Sequence, residues 1–131
     1  MKKTTPLHSE LSYTIATLGH LDTLVIADGG LPIPGETARI DLALTRGVPG
    51  AIQTLKVVLE EMKVESVILA EEVKERNSQF LAAVEEQLPG IPMEFVSHTE
   101  FKTRTGSARA VVRTGEFSPY ANVILVAGVV F

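Results

Sequence analysis

The chain contains no cysteine, so neither a disulfide framework nor a thiolate metal site can be built from it. That composition suits a reducing compartment. Aromatic residues make up only 5% of the 131 residues, and 12 Lys and Arg stand against 16 Asp and Glu, a formal charge of -4 with no block of basic side chains. This is the wrong electrostatic footprint for nucleic acid. No apolar run reaches the roughly 18 residues that a membrane-spanning helix needs. Lys2 and Lys3 look like the start of a secretion signal, but His8, Glu10, Ser12 and Thr14 interrupt the segment after them, so no cleaved leader and a cytoplasmic location are expected. The histidines at 8, 20 and 98 lack the close spacing of a helical metal site, and no metal is expected. A glycine-rich turn at Gly29, Gly30 and Gly35 is followed by Pro32 and Pro34 rather than by a helix, which argues against a phosphate cradle. No nucleophile elbow, internal repeat or linker occurs.

What the chain has in plenty is apolar surface. Hydrophobic residues form 45% of it, mean hydropathy is +0.22, and the last ten residues, Asn122 to Phe131, carry no charged side chain. One domain spanning residues 1–131 would bury roughly 65–70% of the surface of its unfolded form. The surplus predicts a homo-oligomer that covers part of this surface, the C-terminal strand included.

Strand-like and helix-like segments alternate. Thr23 to Ala27, Ser66 to Ala70, Met93 to Val96, Ala110 to Val112 and Val123 to Ala127 read as buried strands, and Ile40, Leu42 and Leu44 alternate as a shorter one. Between them, Leu11, Ile15 and Leu18 recur at helical spacing after a cap at Ser9 and before a left-handed stop at Gly19. Ile52, Leu55, Leu59 and Met62 trace a second helix face. Phe80, Leu81, Val84 and Leu88 trace a third, capped by Asn77 or Ser78 and stopped at Pro89 and Gly90. Ser97 to Glu100 has the form of a capping box that opens a short helix with His98 in its first turn. The rhythm predicts an α/β fold, a mostly parallel central sheet flanked by helices, in which ligands collect beyond the strand C-termini.

Polar candidates cluster at the strand ends. His20 follows Gly19 just past a helix, placed either to transfer protons or merely to complement the helix C-terminus. Asp28 ends a strand, where it can cap the turn at Gly29 and Gly30 or accept a ligand hydroxyl. His98 in a first helical turn is favoured as the neutral ring, which can both donate and accept, and Lys102 sits four residues on along the same face. Arg113-Thr-Gly-Glu-Phe-Ser-Pro-Tyr-Ala-Asn122 places hydrogen-bonding groups between two apolar strands. Tyr120 and Asn122, two apart, would share a face if the segment is extended, and a phenol with a carboxamide suits a neutral polyol. Arg113 and Glu116 read as structural, paired with each other or with a neighbouring subunit. His20, Asp28 and His98 all lie at junctions of the kind that could line one crevice.

At Leu18-Gly-His20, Val25-Ile-Ala-Asp28, Ser97-His98, the segment from Arg113 to Asn122 and Ala127-Gly128, the sequence resembles the D-ribose pyranase family and its fucose mutarotase relatives over almost its full length. The resemblance implies an enzyme that interconverts the ring forms of free D-ribose, chiefly β-pyranose and β-furanose, with no cofactor and no metal. It implies a ring-shaped homo-oligomer, commonly a decamer, with each site at a subunit interface. It also implies His20 as proton donor, with Asp28, His98, Tyr120 and Asn122 binding the sugar. Two departures stand out: His8 where the family has asparagine, read as a surface residue, and Gly29 where it has alanine. The alternatives are a fucose-type anomer mutarotase and a non-catalytic sugar-binding accessory of a transport system.

Overall fold

Apolar runs bounded by Gly, Pro and Asn set the element boundaries in a computed structural model that describes residues 1–131. In chain order these are α1 (Ser9–Thr17), β1 (Thr23–Ala27), β2 (Arg39–Asp41), α2 (Ala51–Leu59), β3 (Val64–Ala70), α3 (Val73–Arg76), α4 (Ser78–Gln87), β4 (Met93–Val96), α5 (His98–Thr105), β5 (Ala110–Arg113) and β6 (Val123–Ala127). The strands form one six-stranded sheet in the order β2-β5-β1-β6-β3-β4. β6 lies antiparallel between β1 and β3, while every other pairing is parallel. Five strands therefore point the same way and β6 alone runs back.

Alternation along the strands divides the core in two. Leu24 and Ile26 of β1, Val67 and Leu69 of β3 and Val123 and Leu125 of β6 join the larger cluster of 22 buried residues, packed by Leu11, Leu55, Val58, Val73, Phe80 and Val84 from α1 to α4. Val25, Ala27, Ile68, Val111 and Ile124 face the other way into a cluster of 7, where Phe101 of α5 is the only helical member. Side chains two apart share a sheet face, so the continuous apolar runs belong to strands covered on both sides.

Several sequence expectations shift locally. The Ile40, Leu42 and Leu44 alternation yields only a three-residue strand, with Ile40 fully buried and Leu44 81% exposed. A turn over Thr45–Val48, closed by a bridge between those two residues, follows instead and packs against Gly115. His8, not Ser9, caps α1: its Nδ1 accepts from the Leu11 amide at 3.3 Å. Asparagine is a strong N-cap residue, so the departure at position 8 preserves the capping role. The left-handed residue after α1 is Leu21, at φ 68°, rather than Gly19. In α2 the buried face runs through Ala51, Thr54, Leu55 and Val58, leaving Ile52 and Leu59 only half-buried against the core. Asn77 caps α4 through a bond from the Phe80 amide.

Candidate functional site

Because five strands are co-directional and β6 is reversed, the C-terminal ends of β1, β3, β4 and β5 and the start of β6 lie along one edge of the sheet. Asp28 follows β1, Glu72 follows β3, His98 follows β4 and Asn122 precedes β6. The topology thus gathers at one edge residues that the sequence scatters.

Asp28 and Asn122 are joined twice. The Asp28 amide donates to Asn122 Oδ1 at 2.7 Å, and Asn122 Nδ2 donates to Asp28 Oδ2 at 2.9 Å. Asp28 Oδ1 accepts from the Gly30 amide at 2.9 Å, so the turn-capping role is present alongside the pairing. Each carboxylate oxygen can accept two hydrogen bonds, which leaves the half-buried Asp28 capacity for ligand hydroxyls.

His98 packs edge-on against Tyr120, ring centroids 5.0 Å apart. Its Nε2 is buried and has no hydrogen-bond partner, an arrangement that native interiors rarely leave unexplained. Burial chiefly, and then the nearby Lys102 ammonium, push the His98 pKa below its ordinary value against the opposing pull of Glu72 and Asp28. The ring is therefore neutral near pH 7 and able to donate to, or accept from, a polyol. Both carboxylate oxygens of Glu72 accept from the His98 amide, at 3.2 and 3.0 Å. Bonds from its own amide and from that of His98 hold the Glu72 carboxyl below the usual range.

The extended segment expected at Tyr120 and Asn122 is absent. Tyr120 adopts φ 55°, a left-handed turn, and β6 begins only at Val123. A bulky residue in that region costs on the order of 1–3 kcal/mol and tends to mark functional sites. Tyr120 is nevertheless turned towards His98, while Asn122 is buried beneath Asp28.

His20 lies elsewhere. It precedes β1, whereas Asp28 follows it, and five residues of strand at about 3.3 Å each set the two roughly 15 Å or more apart. One crevice within one chain does not hold His20 with Asp28 and His98, because a strand's two ends open on opposite edges of the sheet. His20 is half exposed and its Nε2 lies 2.8 Å from Glu65 Oε2 of β3. Its turn is fastened by Asp22, which accepts from the Gly19 amide at 2.8 Å and pairs with Arg109 at 3.0 Å. Those two partners hold the Asp22 carboxyl below the usual range. A cavity of about 460 Å³ opens beside His20, walled by Met62, Lys63 and residues 127–131.

Residues 1–130 match the family model described as the RbsD / FucU transport protein family. The chain belongs to this family. The D-ribose pyranase of Actinobacillus succinogenes is a relative at 52% identity, with all of both chains covered. The Bacillus subtilis RbsD structure complexed with D-ribose superposes with a TM-score of 0.97 at 49% identity, again over both whole chains. A Streptococcus pneumoniae fucose mutarotase in complex with L-fucose superposes less closely, at a TM-score of 0.85 and 25% identity over both whole chains. The α/β fold with a mostly parallel sheet is accordingly that of RbsD / FucU family members.

In this family member, Arg113 and Glu116 are not paired with each other. Arg113 binds Asp41 at 3.1 Å and the Gly29 carbonyl at 3.2 Å, while Glu116 accepts from amides of its own loop. Lys102 is exposed on α5 and acts on His98 only through its charge. Sequence reasoning passed over Glu72 and Asn77. The signal for Glu72 was its place just past the C-terminus of a buried strand, where the ligand-crevice rule points. Asn77, read only as a cap, also donates to Ser118 Oγ and to the Pro119 carbonyl, both at 2.9 Å, and so secures the loop that carries Tyr120. Cavities flank the cluster, one of about 600 Å³ reaching Glu72 and Tyr120 and one of about 280 Å³ reaching Asp28 and Ser118.

Proposed function

We propose that this protein is a D-ribose pyranase, interconverting the β-pyranose and β-furanose forms of free D-ribose by acid-base ring opening and closure. Full-length relatives of that name at about half identity support the reading, as does a near-superposable structure complexed with D-ribose. The observation that carries it is the edge cluster itself: a neutral His98 with an unpartnered Nε2, backed by Tyr120 and by the Asp28–Asn122 pair. These groups offer hydrogen-bond donors and acceptors to hydroxyls.

His20 is the proton donor, and it reaches the sugar from a second copy of the chain. The two edges of the sheet carry different apolar patches: Leu21, Val130 and Phe131 are exposed near His20, and Leu44, Val48 and Phe117 near the Asp28 edge. Different patches that meet head to tail generate a heterologous contact, which closes into a ring when the rotation permits. A ring-shaped assembly, a decamer in our reading, then completes each site at a subunit interface. The absence of cysteine accords with work in the cytoplasm.

A proton delivered to the ring oxygen and another removed from the anomeric hydroxyl open the pyranose to its aldehyde. The C4 hydroxyl, rather than the C5 hydroxyl, then adds to C1 to give the furanose, and the same proton transfers run in reverse. No bond to the protein forms and no electrons leave the sugar. General acid-base help of this kind contributes typically ~10²–10⁴-fold. Saturation-transfer NMR on ribose solutions tests the function: the protein accelerates pyranose–furanose exchange, and His20→Ala abolishes the acceleration while ribose still binds. Full activity in His20→Ala removes the mechanism. Faster exchange of fucose anomers than of ribose ring forms moves the assignment to the mutarotase branch.

A further inference from the structure

The loop Thr114–Ala121 must hold Tyr120 in a left-handed turn and deliver Asn122 beneath Asp28, yet it has no regular secondary structure of its own. One carboxylate organises it. Glu116 Oε1 accepts from the Phe117 amide at 3.2 Å, the Ser118 amide at 3.1 Å and Ser118 Oγ at 2.9 Å. Its Oε2 faces the Ala51 amide at 3.4 Å, at the start of α2, whose cap residue Gly50 provides no side-chain bond and whose first turn carries no acidic residue. The Glu116 backbone carbonyl also accepts from the Gly29 amide at 2.8 Å, which joins the loop to the turn that follows Asp28. Burial works against ionisation of Glu116, but the bonds from Ser118, Ala51 and Phe117 outweigh it and hold the carboxyl below the usual range.

We propose that Glu116 is the positioning residue of the sugar site: its carboxylate folds the loop around itself, so that Tyr120 and Asn122 stand ready before any sugar arrives. This rests on the sugar-isomerase reading above. Both carboxylate oxygens of Glu116 are engaged by its own loop and by the start of α2, so it sets affinity and takes no part in the proton transfers. Loss of preorganisation weakens ground state and transition state alike, which raises KM and spares kcat.

Glu116→Ala, Glu116→Gln and Ser118→Ala, each measured by NMR exchange kinetics across a ribose concentration series, test the assignment. Removing a charged acceptor of several hydrogen bonds predicts a KM raised about tenfold or more in Glu116→Ala, with kcat changed less than about threefold. Glu116→Gln keeps the oxygen that faces Phe117 and Ser118 but turns an NH₂ toward the Ala51 amide, so it falls between wild type and Glu116→Ala. Ser118→Ala removes one donor to Glu116 together with the acceptor of one Asn77 bond and shifts KM in the same direction by a smaller factor. Asn77→Ala run beside it isolates the Asn77 share, and the pair serves if Glu116→Ala fails to fold. Amide hydrogen exchange gives a readout without sugar: the amides of Phe117 and Ser118, which donate to Glu116, exchange faster in Glu116→Ala, while those of β1 and β3 keep their protection. An unchanged KM, a loss confined to kcat, or unchanged exchange at those amides overturns the assignment. A wild type that fails to speed ribose ring exchange sinks the function instead, and the sugar-free amide measurement still decides whether Glu116 orders the loop.

Discussion

Asp28 and Asn122, separated by 94 positions in sequence, hold each other through reciprocal hydrogen bonds of 2.7 and 2.9 Å at one edge of the sheet. The pair works as a unit because the backbone amide of one residue and the carboxylate of the same residue are both satisfied by a single carboxamide. Asn122 is 1% exposed, so water cannot replace either bond.

Asn122→Ala should therefore cost both stability and activity. An unsatisfied buried amide carries a penalty of about 1–3 kcal/mol, visible as a lowered thermal midpoint, and the freed Asp28 carboxylate no longer faces the site in a fixed orientation. Asn122→Asp should be worse than Asn122→Ala near pH 7, since it sets a second carboxylate against Asp28 Oδ2. Calorimetry and ring-exchange rates on the two variants check the order, and equal behaviour of the two would remove the charge argument.

Complementation distinguishes a site shared between chains from one closed within a chain. His20→Ala and Asn122→Ala lesion opposite edges of the sheet, so each variant alone should lack effective sites. Co-expression of the two at equal levels should restore roughly a quarter of the sites if each one takes His20 from one copy and Asn122 from its head-to-tail neighbour. Exchange rates of the purified mixture read this out. No recovery in an intact mixed oligomer would mean that His20 does not serve the Asp28 edge of a neighbour.

Much of this arrangement is legible in the sequence, and the part that is not has physical causes. The strands β1 and β6 follow from apolar, β-branched runs with clear turn residues, whereas Met93 to Val96, expected as a buried strand, is the edge strand β4, with Glu94 exposed and the other three residues only half-buried. Asp28, His98 and Asn122 stand out by their places at strand ends. The separation of His20 from them is hidden, because a junction residue looks the same at either end of a strand until direction and pairing are known. Tyr120 misleads for a related reason: spacing of two implies a shared face only in extended chain, and its left-handed backbone lies in a loop bonded by Glu116 from within and by Asn77 from elsewhere in the fold. His8 shows that a residue type can differ while the capping geometry persists.

The depressed pKa of His98 fixes a direction with pH. Burial disfavours the charged ring in the folded chain, so the unfolded chain binds the proton first as pH falls. The contribution of His98 to stability is then present above its ordinary value of about 6.5 and is lost progressively as pH drops through that value toward the lower folded one. Ribose affinity should persist through that upper part of the range and fall only once the folded ring itself protonates. A pH series of urea unfolding and ribose titrations checks both, and His98→Gln should flatten the stability dependence between about pH 5 and 7. Stability that rises on acidification over that interval would contradict the buried neutral ring.

Gly115 marks where the loop is pinned against the rest of the fold. A Cβ added there would lie 2.7 Å from both the amide nitrogen and the carbonyl oxygen of Val48, and closer still to the Thr45 carbonyl oxygen. These are backbone atoms of a tight turn that also receives the Gly115 carbonyl through the Gly47 amide at 2.6 Å, so they cannot move aside as a flexible side chain would. Gly115→Ala should destabilise by about 1–3 kcal/mol or more, lowering the thermal midpoint by several degrees. Its effect on ribose KM should follow, because displacing Gly115 displaces Glu116 and with it Tyr120. Gly35 provides the control: nothing lies within 4 Å of a Cβ placed there, and Gly35→Ala should be neutral or stabilising by about 0.4–1 kcal/mol through the unfolded chain. If both variants melt alike, steric pinning at position 115 is not what holds the loop, and its shape would have to come from the hydrogen bonds of Glu116 and Asn77 alone.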